Sequence, residues 1–573
     1  MGLGPERARP LPSPRGAVNA LRHIDVRLSV IGSHFTRHGG HTLRAFLLAT
    51  CLIAAPLAAQ SVDRDAINRI TDEATTRSQV MPIAQHLTDQ IGPRLPNSPN
   101  MRRAEAWTEA KFREWGLTAT KEGFDFGRGW SIERSSVRMV TPRPVQLTAI
   151  PIAWTPGTSG TLTAPVIVAP IAEESDFAEW RGKLSGKIVM VTRPGEGSEP
   201  GEAPFRRLTG EDLAKADSWR EPVYDPASTD RRAKRLDFAQ KLDAFLKAEG
   251  AVAMATMSYR DGKLLHGSGY LFRREVAPAL PGIEIAAEDY RRLARLTKTG
   301  PAPTLEIVSD VRFDDSDTTA YNIIADLPGS DPKAGYVMAG AHFDSWVAGD
   351  GAVDNAAGTA VVMEAARILS AMRVKPKRTI RFALWNAEEQ GLLGSLAYVE
   401  RHIASRPEAA GGRDSGLARF YGWSERFPIT KKPGYDAMTA YFNIDNGSGK
   451  IRGINAENNV AAVPVLREWF APFGSMGATT VANRRTGSTD HYFFQSVGLQ
   501  GFQFIQDPLD YGSRLHHSSA DTFDHLKGPD MRQNAIILAS LLLTAANADR
   551  ALPRPPLPTQ PVVTDPYAFP EKD

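Results

Sequence analysis

From Tyr321 onward the chain alternates runs that are apolar on both faces with stretches that are apolar on one helical face, and few folds accommodate that combination. YNIIADLPG, GYVMAGAH, RTIRFALWN, TAYFNID and QGFQFI read as strands. Residues 355–371, a stretch after Gly391, and Asp530 to Ala546 carry helical spacing. A strand without a polar face must be covered on both sides, and a parallel sheet flanked by helices does this. The fold class expected is therefore α/β: a mixed, mostly parallel central sheet with helices on both faces.

Upstream the character differs. From Asp63 to Leu117 the pattern is helical, ending in RRAEAWTEAKFREWGL behind the breaker-rich linker IGPRLPNSPN, and TATKEGFDF then reads as a strand. Between Gly127 and Ser309 short β-type runs (PVIVAP, KIVMVTRP, AVAMATMS, PGIEIA) alternate with turns and one charged stretch, 198–235. At 573 residues the chain exceeds one ordinary core. The expected division is a presequence over 1–60, a main domain over 61–126 and 310–550, a β-rich insert over 127–309, and a Pro-rich tail over 551–573. The Gly-rich stretch 411–416 reads as an exposed loop, and there are no internal repeats.

The segment RAFLLATCLIAAPLAAQ, 44–60, has a basic flank, a short apolar run and small residues, the layout of a signal peptide cut near Ala59 or Gln60. It predicts a secreted or periplasmic protein without stable membrane insertion. Cys51, the one cysteine, lies inside this run, and Thr50 before it suits a lipid-attachment box poorly. The mature chain would then have no disulfide and no thiolate chemistry. Residues 1–40, rich in Arg, Pro and Gly, are excluded from the fold. The formal charge of +3 comes from this end: the first sixty residues hold seven arginines and two acids, and 61 basic and 63 acidic residues follow. That balance gives no reason to expect nucleic acid or an anionic membrane as a partner.

The strongest functional signal is where the polar residues fall. GAHFDS puts His342 and Asp344 just past one apolar strand. GDGAVDNAAGTA puts Asp354 on the loop opening the next helix. WNAEEQGLLGS puts Glu388 and Glu389 past another strand, FNIDNGSG puts Asp445 past another, and RLHHSSADT puts His516 and His517 on a late loop. Strand carboxyl ends form the crevice of an open α/β sheet, so five segments deliver imidazole or carboxylate to one edge. Zinc takes those ligands, and catalytic sites keep a position open for water. Two zinc ions need a carboxylate bridge, for which Asp354 is the best placed, and each needs a histidine and one more carboxylate. Asp344 can orient His342. Of the paired glutamates, one can bind metal while the other faces water.

AHFDSW, DGAVDNAAGTAVV, PKRTIRFALWNAEEQGLLGS, FNIDN and HHSSADT, in that order, resemble the co-catalytic zinc exopeptidases of metallopeptidase family twenty-eight. The resemblance covers roughly 321–547, with weaker support from 91–126. It implies two Zn2+ per chain, one at His342, Asp354 and Asp445 and the other at Asp354, Glu389 and His517. Asp344 and Glu388 match the two catalytic acids. His517 fits the last ligand better than His516, which is left to face the substrate. The insert resembles a protease-associated domain serving as a lid. The substrate implied is a peptide or dipeptide; which end is read, the side-chain preference and the oligomeric state stay open.

Other candidates are weaker. Asp490, before an expected helix start, reads mainly as an N-cap, with substrate contact from Asp490 or His491 as the alternative. His34, His38 and His41 have metal-like spacing but precede the signal segment. His86, His266, His402 and His525 read as ordinary surface or packing residues, and Trp346 and Trp385 as core or pocket wall. Two rival functions share the scaffold: a non-catalytic receptor, which would have lost ligands, and a glutaminyl-peptide cyclase-like acyltransferase with a single zinc. All five ligands are present here.

Overall fold

A computed structural model describes residues 62–561 except 198–200, 202, 220–227, 409–418 and 420–421. The signal segment 44–60 with Cys51, the histidines His34, His38 and His41, the Gly-rich stretch 411–416 and residues 562–573 lie outside the described residues. No helix among the described residues is long and apolar enough to cross a membrane.

Two eight-stranded sheets organise the chain. In chain order the strands are β1 (Thr118–Asp125), β2 (Gly129–Thr141), β3 (Val145–Gln146), β4 (Ala149–Pro151), β5 (Thr161–Val168), β6 (Ile188–Met190), β7 (Ala253–Met257), β8 (Gly282–Ile285) and β9 (Thr304–Asp314). They continue with β10 (Thr319–Leu327), β11 (Tyr336–His342), β12 (Thr379–Trp385), a small pair β13 (Ala404–Ser405) and β14 (Thr430–Lys431), β15 (Met438–Asn443), β16 (Ile451–Asn455), β17 (Thr480–Ala482) and β18 (Gly501–Gln506). The main sheet has the order β1-β10-β12-β11-β15-β18-β16-β17. Its centre, β12, β11, β15 and β18, is parallel, and β1 and β10 join antiparallel at one edge. At the other edge β16 runs antiparallel to β18 and carries β17 parallel to itself. The mixed, α/β expectation is met.

Period-two alternation explains why these strands lack polar faces. Val337, Ala339 and Ala341 of β11 and Ile380, Phe382 and Leu384 of β12 enter the core beneath the helices Arg64–Thr76, Ala357–Ala371 and Gly528–Asn547. Met338, Ala383 and Trp385 point to the opposite core, under Leu392–Ile403 and Tyr492–Leu499. In β15 the alternation slips, because the register with β11 shifts so that Tyr336 pairs with Met438 while Val337 pairs with Ala440. The extra residue is a bulge, and it lets Met438 and Ala440 serve opposite cores.

The alanine-rich helix Ala357–Ala371 is buried from Ala357 through Leu369. Glu364 within it is neutralised by Arg367 at 2.8 Å, which also reaches Glu73 at 2.7 Å. Ser98 caps the helix Pro99–Glu114 by accepting from the Met101 N–H at 3.2 Å. The Pro-rich tail begins on the body of the protein: Gln500 donates to the Leu552 carbonyl and Asn459 to that of Pro553.

The second sheet, ordered β3-β2-β9-β5-β6-β7-β8-β4, draws all its strands from residues 129–314 and has its own core around Met190, Ile283, Tyr290 and Ile307. An aromatic cluster joins it to the main sheet. Phe126 and Phe272 stack at 4.4 Å, and Trp130, Trp154 and Trp346 pack around them. The Trp130 indole donates to the Thr155 carbonyl and that of Trp154 to Arg128, so both buried donors are satisfied. This joint sets the loops of the second sheet over the carboxyl ends of β11, β12 and β15.

Candidate metal centre and substrate cavity

The parallel centre of the main sheet decides where the polar residues meet. β11 ends at His342, β12 at Trp385 just before Glu388 and Glu389, and β15 at Asn443 just before Asp445. Parallel neighbours end at the same edge, so these side chains converge. His342 Nε2 lies 3.4 Å from Asp354 Oδ1 and 3.4 Å from Asp445 Oδ1. His517 Nε2 lies 3.3 Å from Asp354 Oδ2 and 2.8 Å from Glu389 Oε2. Asp354 thus turns one oxygen to each histidine. Glu388 has an oxygen within 4.8 Å of donor atoms of His342 and Asp445.

Several supports hold this geometry. His342 Nδ1 faces the Asp344 backbone carbonyl at 3.2 Å and its carboxylate at 3.6 Å. Both are acceptors, so a metal held at Nε2 would leave the proton on Nδ1. The two oxygens of Asp344 accept the N–H groups of Glu388 and Glu389, each at 3.2 Å. Asp344 is fully buried and does not line the cavity. Asp521 accepts the N–H groups of Val353 and Asp354 and fixes the loop that carries Asp354. Arg94, fully buried, donates to the carbonyls of Leu87, Gly92, Phe343, Asp350 and Gly351. Gly351 has φ +59°, and a Cβ there would lie 2.3 Å from that of Ser345, so the loop has no room for a side chain at this point.

The electrostatics call for cations. Burial pushes the carboxyl groups of Glu388 and Glu389 well above the carboxylate range. Neighbouring acids add to this, Asp445 and Asp490 around Glu388 and Asp354 around Glu389, against the pull of His342. Burial disfavours a charged His342, yet Asp445 and Glu388 hold its pKa well above the imidazole value. Burial lowers the pKa of His516 and His517, which favours the neutral form that metal ligation at His517 would need. Asp354 Oδ2, Glu389 Oε1 and Asp445 Oδ1 are buried without a hydrogen-bond partner. Buried carboxylate oxygens are costly unless compensated. Oxygen and imidazole donors grouped within 4.8 Å fit divalent zinc.

A cavity of about 1190 Å³ opens beside this cluster. Asp354, Glu388, Glu389, Asp445, His516 and His517 reach it from the main sheet, and Tyr259, His266, Tyr270, Leu271 and Leu280 from the second. His516 is 38% exposed, stacks on His517 at 3.7 Å and sits 3.8 Å from Asp354 Oδ2. It stands where a group facing substrate should.

Two expectations are corrected. Asp490 is no N-cap: the helix Tyr492–Ser496 follows His491 without any side-chain cap, and Asp490 is fully buried with neither carboxylate oxygen hydrogen-bonded. Burial raises its pKa to about 8. Neither it nor His491 lines the cavity, and His491 Nε2 faces Thr486 Oγ1 at 3.0 Å. His266 is no ordinary packing residue. Its ring stacks on His517 at 4.9 Å and meets Trp346 edge-on at 5.0 Å, and burial with His517 and His516 lowers its pKa to about 2. His86, by contrast, stacks on Trp107, while His402 pairs with Glu122 and His525 with Asp510, all outside the cavity. Trp385 is core, and Trp346 is buried in the aromatic cluster, meeting His517 edge-on at 6.5 Å. Tyr511 and Arg484 also line the cavity, and with Arg94 and Asp521 they are participants that sequence reasoning did not single out. Arg94 and Asp521 lay within quoted motifs, IGPRL and HHSSADT. The others had no motif or spacing to mark them.

Residues 322–542 match the profile of peptidase family M28. That stretch of the chain resembles the family. Among M28-related proteins the chain is 24% identical to mouse carboxypeptidase Q over 469 residues, 82% of this chain and 86% of the relative. Its fold superimposes on the peptidase M28 precursor from Shewanella amazonensis SB2B with a TM-score of 0.61 at 23% identity, covering 87% of this chain and 100% of that one. The zinc aminopeptidase BSAP from Bacillus subtilis aligns with a TM-score of 0.53 at 18% identity, covering 82% and 95%. The family resemblance and the fold expected from the motifs are both borne out.

Proposed function

We propose that this protein is a secreted di-zinc exopeptidase that hydrolyses the terminal bond of peptides or dipeptides. The observation that carries the reading is Asp354, whose two oxygens lie 3.4 Å from His342 and 3.3 Å from His517. One carboxylate serving two imidazoles, beside acids with unpartnered oxygens, suits a bridged pair of ions. His342, Asp354 and Asp445 would hold one zinc, and Asp354, Glu389 and His517 the other. Zinc bound there would acidify a water toward neutral pH and polarise the scissile carbonyl.

The remaining chemistry belongs to the chain. Glu388 lines the cavity, and its raised pKa, set by burial and neighbouring acids, suits it to take a proton from the attacking water and return it to the leaving amine. Asp344 holds the Glu388–Glu389 backbone and the His342 tautomer. The second sheet, read as a protease-associated lid over 127–309, excludes water and limits how much peptide extends past the site. Secretion rests on the signal-like segment 44–60.

A panel of free dipeptides, aminoacyl-anilides and peptides blocked at the carboxyl end tests the reading. Zinc-loaded protein should cleave terminal bonds in at least one class and leave internal bonds intact. Cleavage within long peptides, or none in any class, would contradict an exopeptidase.

A further inference from the structure

Which end of a peptide the cavity grips is written in the charge of its walls. Its acids are committed. Asp354, Glu389 and Asp445 belong to the proposed metal centre, and Glu388 to proton transfer. Asp243 accepts the N–H groups of Ala279 and Leu280. Glu284 accepts those of His266 and Gly267 at 2.8 and 2.9 Å. A terminal ammonium therefore meets no uncommitted carboxylate among the described lining residues. Arg484 is the one lysine or arginine among them. No described residue hydrogen-bonds or ion-pairs with its guanidinium, and its Nε is buried without a partner.

The loop that carries Arg484 is anchored. Its carbonyl accepts the Glu457 N–H at 3.0 Å, and Glu457 in turn accepts the Thr486 N–H and hydroxyl, both at 2.6 Å. A guanidinium with no partner among the described residues is complementary to a carboxylate, which its planar fork can bind through two parallel hydrogen bonds. Leu242, Met257, Leu271 and Leu280 give the same cavity an apolar wall.

We propose that Arg484 binds the free α-carboxylate of the substrate's last residue, so that the enzyme acts on dipeptides and short peptides with an apolar, unblocked carboxyl terminus. This rests on the di-zinc exopeptidase reading and names its substrate class. The test compares Leu-Phe with Leu-Phe amide on the wild type, Arg484→Ala and Arg484→Lys, each loaded with zinc. The wild type should prefer the free acid. Arg484→Ala should lower kcat/KM for the acid by roughly 10–100-fold, mainly through KM, the worth of hydrogen bonds to a charged group, and leave the amide unchanged. Arg484→Lys should recover part of the preference. Equal loss on both substrates, or a wild type that prefers the amide, overturns the assignment while leaving the peptidase reading standing. If the wild type cleaves neither, the peptidase reading fails, and calorimetric binding of Leu-Phe decides the carboxylate site. Weaker binding by Arg484→Ala supports it, and equal binding overturns it.

Discussion

Glu388 and Glu389 are neighbours with opposite fates. Both give their N–H groups to Asp344, yet Glu389 reaches His517 at 2.8 Å while Glu388 lies toward His342 and Asp445. Glu388→Ala should keep both proposed ions and lose roughly 10²–10⁴-fold in turnover, the worth of a positioned general base. Glu389→Ala should lose zinc. Metal content and turnover of the two variants, measured side by side, check this, and zinc loss from Glu388→Ala with full retention in Glu389→Ala would reverse the roles. At this scale the sequence was most informative about residues at strand ends, because a polar side chain after an apolar run has few explanations. It was least informative about His266 and Arg484. Each lies on an irregular loop, where no periodicity distinguishes a cavity wall from a solvated surface, and each reaches the cavity only through tertiary packing.

Between elements, Arg94 is one of the side chains that hold the loops after β11. Arg94, from the segment before the helix Pro99–Glu114, bonds to the carbonyls of Phe343, Asp350 and Gly351 within the His342–Asp354 stretch. Burial lowers its pKa to about 10, with Asp521 and Asp344 opposing, so it stays charged at neutral pH. Arg94→Met keeps the apolar stem but strands five carbonyls and removes the counter-charge of buried acids. A loss of ~3–5 kcal/mol in unfolding free energy is expected, as when one partner leaves a buried charged network. Denaturant titration checks it, and a change below ~1 kcal/mol, the scale of an exposed pair, would mean that the loops hold themselves. The elements were legible where periodicity was long, as in Ala357–Ala371 and Gly528–Asn547. The bulge in β15 and the failed cap at Asp490 were not, since both depend on which neighbour a residue meets.

Across the main body of the chain, the parallel centre of one sheet gathers the candidate ligands at its edge, and a second sheet contributes the other wall of the cavity beside them. The α/β class followed from two-faced apolar strands, whereas the antiparallel edges and the order of strands follow from pairing that a single strand does not encode. The account stands on two bridged zinc ions acting together. Its most direct test is to strip the purified protein with a chelator, add zinc back in steps, and follow bound metal and dipeptide hydrolysis in the same samples. Activity should be absent without metal and reach its plateau at two zinc per chain. Full activity in verified metal-free protein, or a plateau at one zinc, would contradict the account.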